Sequence, residues 1–205
     1  MIEFIIGSSL AAAAGLNAWM PLFLLGLADR LLPAFELPSG WSWMSSDLAL
    51  WIIGALLVLE IIADKVPALD SVNDVIQSII RPAAGGIAFG AGAGSQTMAV
   101  EDPASFFTSD TWIPVVAGVL IALVVHVLKA TARVAANVST GGLAAPVLST
   151  VEDGASFALA AAAIVVPVVA GILLVGLIVV AILVLRRRRQ LRRKRDTRVG
   201  SDGQP

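Results

Sequence analysis

Glu60 and Asp64 stand four residues apart near the end of one apolar run, and His126, Lys129 and Arg133 stand at i, i+3 and i+7 in another. On helices each set shares a face, one acidic and one basic. Between them the stretch LEIIADKVPALDSVNDVI, residues 59–76, adds Lys65, Asp70, Asn73 and Asp74. Arg81 follows, and Glu152 with Asp153 forms a further acidic pair. Carboxylates so placed could take up a cation or a proton. The cations could balance them, or contact an anionic solute or a lipid headgroup. A lone charge at the centre of a bilayer costs at least about 2.5–3.5 kcal/mol, so such groups either have a use or reach water. Near the cytoplasmic end of its helix each group would snorkel to the interface. Deeper in, the acidic face would pair with the basic one.

Other chemistry has less support. Asp70, Asn73 and Asp74 offer hard oxygen ligands suited to Mg²⁺ or Ca²⁺. NDVIQ is similar to the start of the Asn-Asp-x-x-Asp box of membrane prenyltransferases, but Gln77 replaces its last acid and there is no second box. Capping is the plainer role, because Asp70 or Ser71 ahead of a helix can accept from its free N–H groups. His126 is the only histidine and there is no cysteine, which excludes a histidine cluster and thiolate metal sites. No cofactor is indicated, no metal is assigned, and enzymatic activity is not the favoured reading. Nucleic-acid binding is set aside too, because the basic tail lacks interleaved aromatics.

The elements that must position these groups are membrane helices. Of 205 residues, 58% are hydrophobic and 14% charged, against about 45–50% and about 25% in soluble domains. The apolar runs are continuous, unlike the alternating strands of a membrane barrel. The expected fold is all-α: a polytopic transmembrane bundle over residues 1–185, of about six spans with interrupted helices. A basic cytoplasmic tail without fixed structure would follow over 186–205.

Residues 4–28 are uncharged and long enough for a first span, and Asn17 between Gly15 and Pro21 suits a break within it. A cleaved signal peptide fits less well, since Glu3 precedes the run and the run is too long. A second span starts near Asp47 and is broken by Pro67. SVNDVIQSII is amphipathic, the Gly-rich residues 82–100 follow, and another span begins at Trp112. The uncharged run 154–185 would make one helix of about 48 Å, against a hydrocarbon core of about 30 Å. Pro167 therefore divides it, and the preceding helix starts at Pro146.

The run RRRRQLRRKR after Leu185 places the C-terminus in the cytoplasm. Lys65 with Arg81, and Lys129 with Arg133, mark two more cytoplasmic turns, leaving the acidic loops near Glu36 and Glu101 outside. An even number of crossings then separates Arg133 from Arg186. This gives six spans of a cytoplasmic (inner) membrane with both termini inside. The alternative is five, with residues 134–153 dipping into the bilayer. The bilayer is the expected partner, with anionic lipid at the basic tail, and a homo-oligomer remains open.

Gly86, Gly90 and Gly94 recur every four residues, which lets a neighbouring helix approach closely. Gly7, Ala11 and Gly15 repeat the device. LLVLEIIADKV and LVVHVLKATARV each lead through a short polar turn into a helix of small residues, a loose internal repeat of the kind found in transporters.

At GLNAWMPLFLLGLADR, EIIADKVPALDSVNDVIQSIIRPAAGG and KATARVAANVS the chain resembles the family called domain of unknown function 4126, membrane proteins of bacteria with related plant sequences. The resemblance covers residues 5–185. Its most specific part combines Glu60, Asp64-Lys65-Val66-Pro67, Asp70 and Arg81-Pro82. Thr140, Gly141 and Gly142 stand where the family usually has Pro. The resemblance implies one membrane domain and brings no activity. The expected function is a small transporter or permeation protein for an ion, small solute or lipid headgroup. The alternatives are a structural or accessory membrane protein and, third, an enzyme acting on a lipid phosphate.

Overall fold

The computed structural model describes residues 1–95, 112–141 and 143–201, with the side chains of all but 67–72, 184–185 and 187–201. The acidic loop at Glu101 lies outside the described residues. The helices are α1 (Ile2–Leu16), α2 (Trp19–Leu31), α3 (Asp47–Ala63), α4 (Pro67–Ala93), α5 (Trp112–Thr140), α6 (Ala145–Val165) and α7 (Pro167–Ser201), with a 3₁₀ turn at Ser42–Ser45. The described residues are thus all-α.

Proline sets three of the boundaries. Pro67 and Pro167 are the first residues of α4 and α7, and Pro146 lies in the first turn of α6. At a helix start the missing N–H of proline would be unpaired in any case, while Val66 and Val166, the residues before Pro67 and Pro167, are held out of helical geometry. Pro167 therefore splits the 154–185 run as its length requires. After α5, Gly141 takes a positive φ of 63°, the left-handed conformation that ends a helix. Residues 134–153 are consequently the last turns of α5, a short turn and the start of α6, with no separate dipping segment.

Two expectations are corrected. The amphipathic stretch and the Gly-rich stretch after it are one helix, α4, of 27 residues with Pro82 inside it. The first apolar run does not form one span either. α1 ends at Asn17, whose backbone is extended (φ −143°, ψ 119°), and α2 then returns. Ser156 Oγ donates to the Ala13 carbonyl and Asn17 Nδ2 to Asp153 Oδ1, so α1 runs antiparallel to α6. Leu24, Ala28 and Leu31 of α2 lie along Ala161, Ile164 and Val165 in the same direction as α6. Arg30 pairs with Asp47, and Gly26 lies against Leu50, so α2 is antiparallel to α3. Residues 2–31 are a helical hairpin that begins and ends at one end of the bundle. Its arms of 15 and 13 residues are about 22 and 20 Å long, short of a core of about 30 Å.

Gly171 near the start of α7 lies against Ile5, and Leu174 and Leu177 pack on the core. α7 therefore runs down the bundle from the end where α1 begins. The first residues and the arginine run leave at opposite ends, unlike an arrangement of six crossings with both termini on one side. The helical backbone of α7 continues through the arginines to Ser201.

Small residues bring α1, α4 and α5 together. A Cβ on Gly85 would lie 2.2 Å from Ala122 Cβ, and one on Gly118 would lie 2.3 Å from the Gly85 carbonyl oxygen. No side chain fits there. Gly86 faces Val115 and Val119, Gly90 lies between Trp41 and Val115, and Gly94 lies against Pro38. The close approach of α4 to α5 thus centres on Gly85, beside the expected stripe, and Gly92 lies as tightly against Leu10 of α1. α5 and α6, of 29 and 21 residues, are long and apolar enough to cross a membrane, while α1 and Pro167–Leu183 are apolar but shorter. The surface carries large apolar side chains such as Trp51, Ile79 and Val138, whereas Arg81 and Asp64 are fully enclosed.

Candidate functional site

The two charged faces read from the sequence meet inside the bundle. α3 delivers Glu60 from its last turn and Asp64 from its C-cap, α4 delivers Asn73, Asp74 and Arg81, and α5 delivers His126, Lys129 and Arg133. α6 adds Glu152 and Asp153 from its second and third turns. Glu60, Asp64, Arg81, His126, Lys129 and Arg133 are all buried, so the snorkelling arrangement does not apply to them.

Asp64 is the hub. Its Oδ2 accepts from Lys129 Nζ at 3.0 Å, Arg133 Nη2 at 3.0 Å and Arg81 Nη2 at 3.4 Å. Its Oδ1 accepts from Asn73 Nδ2 at 2.6 Å. Glu152 Oε2 accepts from Arg133 Nη2 at 2.6 Å and Nε at 3.0 Å, and lies 3.2 Å from Lys129 Nζ. Glu60 Oε1 accepts from Arg81 Nη2 at 2.9 Å and Nε at 3.2 Å. Charged hydrogen bonds of this kind are roughly twice as strong as neutral ones.

The tip of the α1–α2 hairpin is fastened to this network. Lys129 Nζ donates to the Leu16 carbonyl at 2.7 Å, taking up an acceptor left free at the end of α1. Glu60 Oε2 accepts from the Ala18 N–H at 3.1 Å, a free donor at the start of α2. Asn17 Oδ1 accepts from the Met20 N–H at 3.0 Å, and Asn17 Nδ2 donates to Asp153, which also pairs with Lys65 at 3.0 Å. Asn17 turns the chain because both broken helix ends find partners in charged side chains.

His126 is bracketed by Arg81 Nη1 and Ser78 Oγ, each 3.1 Å away. A guanidinium only donates, so His126 Nδ1 accepts. Nε2 then carries the proton and donates to Ser78, whose hydroxyl donates to the Asp74 carbonyl. The ring is held as the neutral Nε2–H tautomer. Asp74 Oδ1 lies 3.7 Å from Arg81 Nη1. Asp74 Oδ1, Gln77 Oε1 and Asn137 Oδ1 are buried acceptors without a hydrogen-bond partner among the described residues.

Of the residues assigned to the candidate charged cluster, Asp70 alone lies outside the described side chains. Lys65 is at the margin of the cluster, about one-third exposed. The sequence reading did not place Ser78, Ser149 or the Leu16 and Ala18 backbone groups in the site. Asn17 was legible as a break, being a polar residue in a long uncharged run, but not as a partner of Asp153. Glu60, Asp64, Asp74, Glu152 and Asp153 outnumber Lys65, Arg81, Lys129 and Arg133 by one charge, so one proton or one monovalent cation would neutralise the cluster. Among the described residues no group of three His, Asp or Glu is arranged to hold a metal ion.

The model of one family, domain of unknown function (DUF4126), matches residues 4–187. The chain belongs to this family. The match takes in every helix that contributes to the charged network and ends just inside the arginine run. No curated protein and no solved structure matches the chain. A family of unknown function assigns no role to Glu60, Asp64 or their partners, so the function rests on the geometry.

Proposed function

We propose that the protein is a small transporter or permeation protein of the cytoplasmic membrane, moving a cation or a proton through the charged layer. In this reading α3 to α7 cross the bilayer and the α1–α2 hairpin enters it from the side opposite the arginine run. That run lies in the cytoplasm by the positive-inside rule and touches anionic lipid. The N-terminus is then outside. An exterior of large apolar side chains around an ionised interior supports membrane residence, since in lipid the charged groups must face inward.

One observation carries the transport reading: the hairpin tip is held by ionised groups. Buried ion pairs are often no more stabilising than apolar packing of similar volume, so a bundle that needed only to hold together would gain little from this layer. Broken helices whose ends meet charged groups in mid-bundle are the transporter form of an ion site. The excess carboxylate and the orphaned oxygens of Asp74 and Gln77 suit a positively charged passenger.

Purified protein in liposomes with an imposed cation or pH gradient should dissipate it, and Glu60→Gln should lower the rate per folded molecule at least tenfold. Absence of any flux from the wild-type chain would sink the proposal. The accessory reading draws on one observation, that both Asp64 oxygens are already filled by protein donors. It expects Asp64→Lys with Lys129→Asp to regain folding, and wild-type liposomes to be tight.

A further inference from the structure

We propose that the groove between α2 and α3 is a phospholipid site, holding one acyl chain of a phosphatidylethanolamine with its headgroup on Arg30 and Asp47. This rests on the membrane reading above and concerns a place remote from the charged layer. The groove has a volume of about 800 Å³, within the range of about 300–1,000 Å³ of small-molecule sites. Phe23 forms one wall, Leu50, Leu57 and Val58 the other, and Gly54 the floor. A Cβ on Gly54 would come 3.3 Å from the Phe23 ring, so the missing side chain keeps the groove open. All the lining is apolar except at one end, where Arg30 and Asp47 stand.

The charged end selects the headgroup. Arg30 Nη1 pairs with Asp47 Oδ1, and both side chains are well exposed. The remaining guanidinium donors and Asp47 Oδ2 have no protein partner among the described residues. A positive and a negative pole side by side at the mouth of an apolar groove complement a zwitterion carrying a phosphate and a primary ammonium. The planar guanidinium takes the phosphate, and Asp47 takes the ammonium. A glycerol headgroup would bring an anion to Asp47 with no cation to offset it, and a choline group has no N–H to donate.

The plainer account of the pair is that Arg30 in the last turn of α2 and Asp47 in the first turn of α3 complement their helix dipoles. Trp51, on the outer rim of the groove, separates the two accounts. The full chain is placed in phosphatidylcholine vesicles containing graded amounts of phosphatidylethanolamine, phosphatidylglycerol or phosphatidylcholine brominated in the acyl chain. The Trp51 share of quenching is the wild-type signal less that of Trp51→Phe. Half-maximal quenching should need several-fold less brominated phosphatidylethanolamine than either of the others. Asp47→Asn and Arg30→Gln should each remove that preference, as should Gly54→Leu if it folds. Equal quenching by all three lipids means ordinary boundary lipid and overturns the site, as does a preference for phosphatidylglycerol. No quenching by any of them overturns the membrane reading as well.

Discussion

The glycine contact of α4 with α5 and the charged layer one turn below it join the same helices by different means. At Gly85 and Gly118 two backbones touch, and the contact is one of shape alone. At Arg81, Asp64, Lys129 and Arg133 the helices are joined through directed bonds between charges. In the proposed lipid setting there is no hydrophobic force to press helices together, so close packing and polar bonds would share the work. The glycine layer sets how near the helices stand and has one state. The charged layer sets their register, and under the proposed function a proton or ion would change its state.

The charged layer is most vulnerable at Asp64. Asp64→Asn would leave Arg81, Lys129 and Arg133 facing an uncharged amide. Removing one member of a buried ion network costs about 3–5 kcal/mol, so detergent-solubilised variant should melt many degrees lower or not accumulate. Gly85→Val attacks the other layer, where the nearest atoms are backbone and a Cβ that cannot move aside. Overpacking of this kind costs about 1–3 kcal/mol, visible as a lower melting temperature and, unlike Asp64→Asn, no change in ion flux per folded molecule. Smaller still is Lys65→Gln, at a pair about one-third exposed, where a loss of at most about 1 kcal/mol is expected from thermal melting. Gly176→Ala is the control for glycine itself. A Cβ there meets nothing within 4 Å, so the change should raise stability slightly, by about 0.4–1 kcal/mol.

Local chemistry made the helix limits legible in advance. Pro67, Pro146 and Pro167 act through their own rings, and Asn17 is conspicuous where no other polar residue stands near. The pairing of the α3 and α5 faces could also be framed, because i, i+3 and i+4 spacing survives in any helix. The return of α2 along α1 could not, since hydropathy measures how apolar a run is and not which way it turns. What turns it is Glu60, Lys129 and Asp153, up to 136 residues away in the chain. The sidedness read from Arg81 and Arg133 loses its footing for a related reason. It requires surface cations, and both are enclosed by carboxylates from other helices.

The fastening of the hairpin tip has a consequence for how the chain is made. Leu16, Asn17 and Ala18 leave the ribosome early, but their partners lie at positions 60, 129 and 153. Until α5 and α6 have been synthesised, the Leu16 carbonyl and the Asn17 side chain at the tip lack their partners, and an arm of 15 residues is shorter than a bilayer core of about 30 Å. α1 and α2 are therefore seated later than they are made, slotting into a cleft that α3 to α6 must build for them.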